Sequence, residues 1–427
     1  MKLDYGKTAL LGFGFFGVSL IWSLYNSYVP VFLERDFLLS ATIVGFVMTF
    51  DNIAALFIQP WIGALSDRTH SRWGRRMPYI MLGAPIGALA FMAIPFAGSL
   101  PVFMAVIIVM LLAMSAFRTP VIALMPDITP SPLRSKANGV INLMGGIGAI
   151  LAFFVGARLY DIGRAVPFIA AAVVLVLAVL IVFWRIREPT APAEPPPAEA
   201  GVLANVRLIA RDRDKSALYI LLAIFAWFVG FNIIETFFTL YGVNALGIRE
   251  STASLTLGFL AVMFVLFSLP SAFIATKFGR KPTIIAGLAL MLLLLAVVRV
   301  LPAATQIAAL VSIAGFQITV LQVLLMAAGL AWAMVNINSL PMVVDIAPQD
   351  RIGTYTGLYY FASTLAAIGG PWLGGILIDA TGRDYTVIFT VAPFAMLLAI
   401  GFMLGVRRGE RAEELHPSGQ ATETVRA

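Results

Sequence analysis

The 427-residue chain has no cysteine and two histidines, and Asp, Glu, Lys and Arg together make up only 12% of it. Without cysteine there is no disulfide framework, no thiolate metal ligand and no thiol nucleophile. The histidines, His70 and His416, fall in polar segments, so no imidazole cluster sits in the apolar sequence and neither a metal nor a cofactor is expected. A zinc-binding His-Glu-x-x-His, a Gly-x-Ser-x-Gly elbow and a phosphate-binding glycine–lysine loop are also missing, which argues against an enzyme and against direct use of ATP. Soluble domains are about a quarter charged and about half apolar. Here 60% of the residues are hydrophobic, and an ordinary soluble protein is excluded.

A helix needs ~20 apolar residues to cross a bilayer. Runs of that kind are predicted at 8–33, 41–65, 78–97, 101–125, 137–160 and 165–184, then at 216–243, 252–276, 282–301, 317–344, 353–378 and 385–405. The first, preceded by Lys2 and Lys7, is too long for a signal-peptide core and lacks a small-residue cleavage site, so it reads as a retained span. Between the two sets lies a proline-rich stretch containing Pro195, Pro196 and Pro197, whose composition suits a semi-rigid linker. The expected organisation is an all-α membrane protein of twelve transmembrane helices in two pseudo-symmetric six-helix bundles. Residues 1–184 form the first bundle, 185–215 a cytoplasmic linker, 216–405 the second bundle and 406–427 a cytoplasmic tail.

With the N-terminus inside, the inner segments hold 22 of the 29 Lys and Arg residues and the outer ones 6, with Arg118 alone inside a span. That bias predicts a multi-pass protein of the cell (inner) membrane with both termini cytoplasmic. It also accounts for the net charge of +7 without a nucleic-acid partner. Basic residues near the inner surface suggest contact with anionic membrane lipid.

The halves resemble each other. Asp127-Ile-Thr-Pro130 recurs as Asp345-Ile-Ala-Pro348, and Asp161, followed by Arg164, recurs as Asp379, followed by Arg383; both aspartates are offset by 218. Gly74-Arg75-Arg76 recurs as Gly279-Arg280-Lys281 at an offset of 205, which places an apolar insertion of 13 residues around 302–316. Same-direction repeats of six spans imply a two-fold axis along the membrane normal and a substrate site between the halves.

Gly63-Ala-Leu-Ser-Asp67-Arg68 with Gly74-Arg75-Arg76, and the weaker copy Lys277 to Lys281, resemble the signature loop of the major facilitator superfamily. Gln59-Pro60, Arg72 to Pro78, and Pro120 leading to Pro126-Asp127 are similar to the glycoside/pentoside/hexuronide permeases and the sucrose/proton symporters. The resemblance implies alternating access, with spans one, four, seven and ten around the cavity. Melibiose-type sodium permeases carry aspartates at positions that hold Ser19, Ala55, Gln59 and Arg118 here. That departure argues against a sodium site of this kind, and an arginine on span four looks more like the sucrose/proton branch.

Only Asp51, Arg118 and Glu235 are ionisable and well inside spans. Each costs at least ~2.5 kcal/mol at the bilayer centre before compensation, so such groups mark a pathway or a partner. A carboxylate in an apolar cavity holds a proton until a guanidinium approaches and favours its charged form, which makes Asp51, Glu235 and Arg118 the proton-coupling candidates. The competing role for Glu235 is direct hydrogen bonding to substrate. Trp22 and Asn26 lie four apart on one helix face, as do Trp332 and Asn336, while Asn232 precedes Glu235 by three. An aromatic face beside an amide or carboxylate suits a sugar, so these six join Asp51 and Arg118 as the substrate-binding set. The bland alternative is that buried Trp and Asn hold helices together.

Gly63, Asp67, Arg68, Gly74, Arg75 and Arg76 form the expected cytoplasmic gate. The glycines allow close approach, and Asp67 is free to pair with an arginine or with a helix end; the alternative is that the arginines only fix topology. The glycine groups of spans five and eleven are candidate rocking points. The expected function is proton-coupled symport of a glycoside or disaccharide, sucrose- or maltose-like. Alternatives are a proton-coupled exporter of hydrophobic drugs, a sodium-coupled sugar symporter and, from another class, a non-transporting receptor or membrane enzyme; the short tail from Val406 leaves a receptor little room for a signalling domain.

Overall fold

A chain this apolar can cross lipid only where every backbone amide is bonded within its own segment, which means helices. The computed structural model describes residues 4–130, 133–186, 188, 209, 214–313, 316–348 and 351–407. Among these, twelve helices are long and apolar enough to cross a membrane. Spans one to six are Tyr5–Arg35, Ala41–Arg68, Met77–Phe96, Leu100–Ile128, Lys136–Ile162 and Val166–Arg185. Spans seven to twelve are Ser216–Asn244, Glu250–Phe278, Arg280–Val300, Val320–Ile346, Ile352–Ala380 and Tyr385–Gly405. The proline-rich part of the expected linker, most of the tail and His416 lie outside the described residues.

Local chemistry sets the starts. Asp4 caps span one by accepting from the Lys7 amide at 2.9 Å, and Ser40 stands at the N-cap of span two. Span ten starts at Val320, three residues later than hydropathy predicts, because Thr319 and Gln322 close a reciprocal capping box. The residues before it leave the helix. The insertion expected around 302–316 is a short helix, Ala303–Ile307, followed by an antiparallel hairpin of β1 (Ala309–Ile313) and β2 (Phe316–Thr319). Gln306 pins its base, accepting from the Tyr241 hydroxyl at 2.6 Å and donating to the Val298 and Leu301 carbonyls at 2.9 and 3.0 Å.

Spans one, five and six pack together, span four lies against two and three, and three against six. In the second set, seven lies against eleven and twelve, and ten against eight and nine. Between the sets, the first part of span two meets span eleven, five meets eight, and one meets seven. Lipid supplies no hydrophobic drive between helices, so close fit and hydrogen bonds must hold them. Tyr28 stacks on Tyr160 at 4.1 Å in the first set, and Tyr241 meets Phe389 at 4.7 Å in the second.

The loop containing Arg68 to Arg76, and the Lys277–Lys281 copy, mark one side of the bundle, here called the basic face. At the opposite, far face the halves close on each other. Asp379 accepts from the Ala41 and Thr42 amides, Ser251 donates to Asp161 at 2.6 Å, and Arg35 pairs with Glu250 at 2.5 Å. Toward the basic face, a Cβ on the matched, exposed Gly139 or Gly357 meets nothing within 4 Å.

Candidate functional site

Span two tightens at Met48–Thr49, where its first helical piece ends and a second begins at Phe50. Asp51 is therefore the second residue of a fresh helix, at the end of the helix dipole that favours a negative charge. One carboxylate oxygen, Oδ1, accepts from the Asn52 amide at 2.7 Å and from its side-chain nitrogen at 2.8 Å. The Arg118 guanidinium on span four and the Glu235 carboxylate on span seven both lie within electrostatic reach of Asp51. Arg118 makes no hydrogen bond or ion pair within 4 Å among the described residues, so the three charges are near one another without being locked.

Glu235 is held instead by Asn26, whose side-chain nitrogen donates to Oε1 at 3.2 Å. This bond runs from span one to span seven and so joins the two halves beside the charged cluster. The spans that carry these residues also hold buried polar atoms with no hydrogen-bond partner among the described residues: the indole nitrogens of Trp22 and Trp227, the hydroxyl of Tyr25 and that of Thr119 next to Arg118. Trp22 meets Tyr25 edge-on at 5.5 Å, and the Tyr25 hydroxyl feels the Asp51 charge. Buried polar groups are nearly always satisfied; these four are not, nor are the Tyr28 and Thr239 hydroxyls farther along spans one and seven. Tyr25 and Thr119 were not in the expected set. Nothing in helical spacing points to them, although Thr119 adjoins the rare arginine.

The remaining expected residues divide. The half-buried Asn336 amide has no partner among the described residues and is available to a ligand. Asn232 donates back to the Phe228 carbonyl of its own helix at 2.7 Å and leans on Gly370 of span eleven. Trp332 is 4% exposed, stacked face to face on Phe231 at 4.0 Å and met edge-on by Phe228 at 5.5 Å. One of its faces is thus covered by protein.

At the basic face, Arg76 is the hub. Its guanidinium pairs with Asp67 and with Asp127 at 3.1 Å and donates to the Ser66 hydroxyl at 2.5 Å. Arg75 pairs with Asp127 at 2.7 Å and with Glu188 at 3.5 Å. The other Glu188 oxygen accepts from the Arg76 amide at 2.8 Å, beside Gly74, whose φ of +105° no other residue adopts readily. Gly63 lets span two approach Thr119. Arg68 is exposed and takes no part in the cluster. Asp127 and Glu188 complete the network; the repeat of Asp127 as Asp345, which pairs with Arg280, was the sequence signal for the first. Five of the six expected gate residues therefore meet, and the contacts given for them lie within the first half of the chain.

The Major Facilitator Superfamily model matches residues 11–316 and 244–426. The chain belongs to that superfamily. It is 33% identical over 98 residues to sucrose transport protein SUT1 of Oryza sativa subsp. japonica, a match covering 23% of this chain and 18% of that one. The isoprimeverose transporter of Lactiplantibacillus pentosus is 23% identical over 292 residues, 64% of this chain and 60% of its own. A class B tetracycline resistance protein of Escherichia coli is 24% identical over 260 residues, 60% and 63% of the two chains. These matches thus span less than two thirds of each relative. The solved nucleoside transporter NupG shares the fold with a TM-score of 0.72 at 17% identity, covering 94% of this chain and all of that one.

Proposed function

We propose that the chain is a proton-coupled symporter of a glycoside or disaccharide, sucrose- or maltose-like, working by alternating access. It sits in the cell membrane with the basic face and both termini cytoplasmic. The units that move are residues 1–184 and 216–405, joined by the 185–215 linker and followed by the 406–427 tail. The observation that carries this reading is the central one: Asp51 within reach of both Arg118 and Glu235, the halves bridged by Asn26–Glu235, and unpaired polar side chains on the same three spans, one, four and seven. A polyhydroxylated ligand supplies acceptors and donors to that set at once. The similarity to sucrose and isoprimeverose transporters supports the substrate class.

In this mechanism Asp51 carries the proton. The guanidinium of Arg118, in the same half, is close enough to be felt, and rocking of the two halves exposes the pair to one side of the membrane and then to the other. Facing water favours the charged carboxylate and releases the proton; enclosure in the apolar cavity favours its return. Sugar binding to Trp22, Asn26, Glu235 and Asn336 shifts the equilibrium between the two facings only as far as its affinities for them differ.

The test is sugar-stimulated proton uptake in proteoliposomes, together with counterflow of a panel of labelled sugars. The wild-type protein takes up protons with at least one disaccharide, whereas Asp51→Asn keeps counterflow but loses proton uptake. Full proton uptake by Asp51→Asn overturns the assignment. The similarity to a tetracycline resistance protein and the aromatic lining favour a second reading, proton-coupled export of hydrophobic drugs. That reading requires no proton uptake with any sugar.

A further inference from the structure

The repeated aspartates Asp161 and Asp379 lie far from the central charges, and the transport reading leaves them without a role. They occupy equivalent places, at the far-face ends of spans five and eleven. Each reaches out of its own half to the start of a helix in the other. Asp379 accepts from the Ala41 amide at 3.1 Å, the Thr42 amide at 2.8 Å and the Thr42 hydroxyl at 2.6 Å. Asp161 accepts from the Ser251 hydroxyl at 2.6 Å and pairs with Arg249 at 3.2 Å. Thr42 and Ser251 are both the second residue of their spans, two and eight, which are themselves equivalent in the two halves. One device is therefore built twice: a carboxylate from the end of span five or eleven, seated on the N-terminus of span eight or two.

We propose that Asp161 and Asp379 are paired latches that hold the far face shut, and that releasing both is the step that opens the cavity to that side. The proposal rests on the alternating-access reading. A carboxylate suits the task because it only accepts, can take several donors and is drawn to the positive end of a helix. The seam beside it is tight enough to make the latch all-or-none. A Cβ on Gly375 meets the Thr42 Cα at 2.8 Å, so spans two and eleven touch through backbone. A rigid rocking of one half against the other about an axis in the membrane plane breaks both latches together, which doubles their effect on the equilibrium between facings. Glu34 adds a third tie across the seam: it accepts from the Tyr385 hydroxyl at 2.5 Å and from the Asn244 amide nitrogen at 3.0 Å. It has no counterpart in the repeat.

The absence of cysteine makes the test direct. Ser27 is buried on the seam, where its hydroxyl accepts from Ser254 at 3.1 Å; Ser27→Cys reports opening of the far face to a membrane-impermeant thiol reagent. Gly139→Cys, in open space near the basic face, reports the other facing. Without any sugar, Asp161→Ala and Asp379→Ala are each expected to speed labelling at Ser27→Cys about ten-fold, the worth of a lost hydrogen bond to a charged group, and to slow it at Gly139→Cys. Thr42→Val and Ser251→Ala remove the same bonds from the opposite side and act in the same direction, which guards against misfolding of the aspartate variants. Asp161→Ala combined with Ser251→Ala exceeds neither single change by more than about two-fold. Unchanged labelling at Ser27→Cys in both aspartate variants overturns the latch. The transport reading fails by a different result: no response of either reporter to sucrose, maltose or isoprimeverose in the parent protein.

Discussion

At the scale of single residues, charge is so scarce that burial decides what each group is worth. Asp67 and Asp127 both pair with Arg76, yet the Asp67 side chain is 48% exposed and that of Asp127 13%. An exposed pair contributes at most ~1 kcal/mol. Stripping the partner from a buried one costs about 3–5 kcal/mol, because a desolvated charge is left behind. Asp127 also serves Arg75, so its loss takes a largely buried partner from two guanidinium groups at once, leaving Arg75 to Glu188 and Arg76 to the exposed Asp67 and to Ser66. Asp127→Ala is therefore expected to lower the unfolding temperature in detergent markedly, and Asp67→Ala barely, even though Asp67 belongs to the signature loop. Equal losses from the two substitutions contradict this. The same reasoning explains why Asp51, Arg118 and Glu235 could be picked out of the sequence while their partners could not. An ionisable residue in an apolar run announces itself, but Tyr25, Thr119 and Glu188 acquire meaning only when other helices are brought against them.

At the scale of elements, the glycine groups of spans five and eleven do two jobs that the sequence does not separate. Gly148 lies against the Phe16 backbone of span one, and Gly370 and Gly374 face Val229 and Ile233 of span seven, all within one half. Gly146 faces Val265 and Gly375 faces Ala41 and Thr42, both across the seam. Only the second kind suits a rocking contact. Gly375→Ala places a methyl group against backbone that has no rotamer to give. It is expected to prevent full closure of the far face, seen as faster labelling at Ser27→Cys and a loss of sugar counterflow. Gly369 is two positions before Pro371, but its Cβ meets nothing within 4 Å. Gly369→Ala should leave both measurements unchanged and add up to ~1 kcal/mol of helix stability. The spans themselves were legible because ~20 apolar residues in a row admit one interpretation. The hairpin at 309–319 was not. Its residues are as apolar as a helix end, and the capping box that removes them from span ten depends on two side chains, Thr319 and Gln322. The tightening of span two at Met48–Thr49 leaves no trace in hydropathy either, although it sets the depth and helix-end position of Asp51.

At the scale of the whole molecule, the two halves repeat their mechanical parts and differ in their chemistry. Arg75–Asp127 is repeated as Arg280–Asp345, and the Asp161 contact as that of Asp379. At the same offset of 218, Arg118 corresponds to Asn336. These paired contacts are thus shared between the halves, whereas the arginine inside a span, Arg118, belongs to the first. The consequence concerns the coupling ion. The positions that resemble a melibiose-type sodium site hold Ser19, Ala55, Gln59 and Arg118, and among the described residues no three Asp, Glu or His side chains gather as metal ligands. On the proposed reading, the guanidinium of Arg118 at one of these positions repels sodium and leaves the proton as the coupling ion. Replacing sodium by choline should therefore leave sugar accumulation intact, while collapsing the pH gradient abolishes it. Arg118→Gln leaves Asp51 without its counter-charge, so accumulation should fall at least ten-fold with counterflow preserved; Asn336→Ala should instead weaken apparent sugar affinity and keep coupling. An Arg118→Gln protein that gains sodium-dependent uptake would extend the argument. Sodium dependence in the wild-type protein would end it, because a single guanidinium at the matched position could then not be what sets the ion.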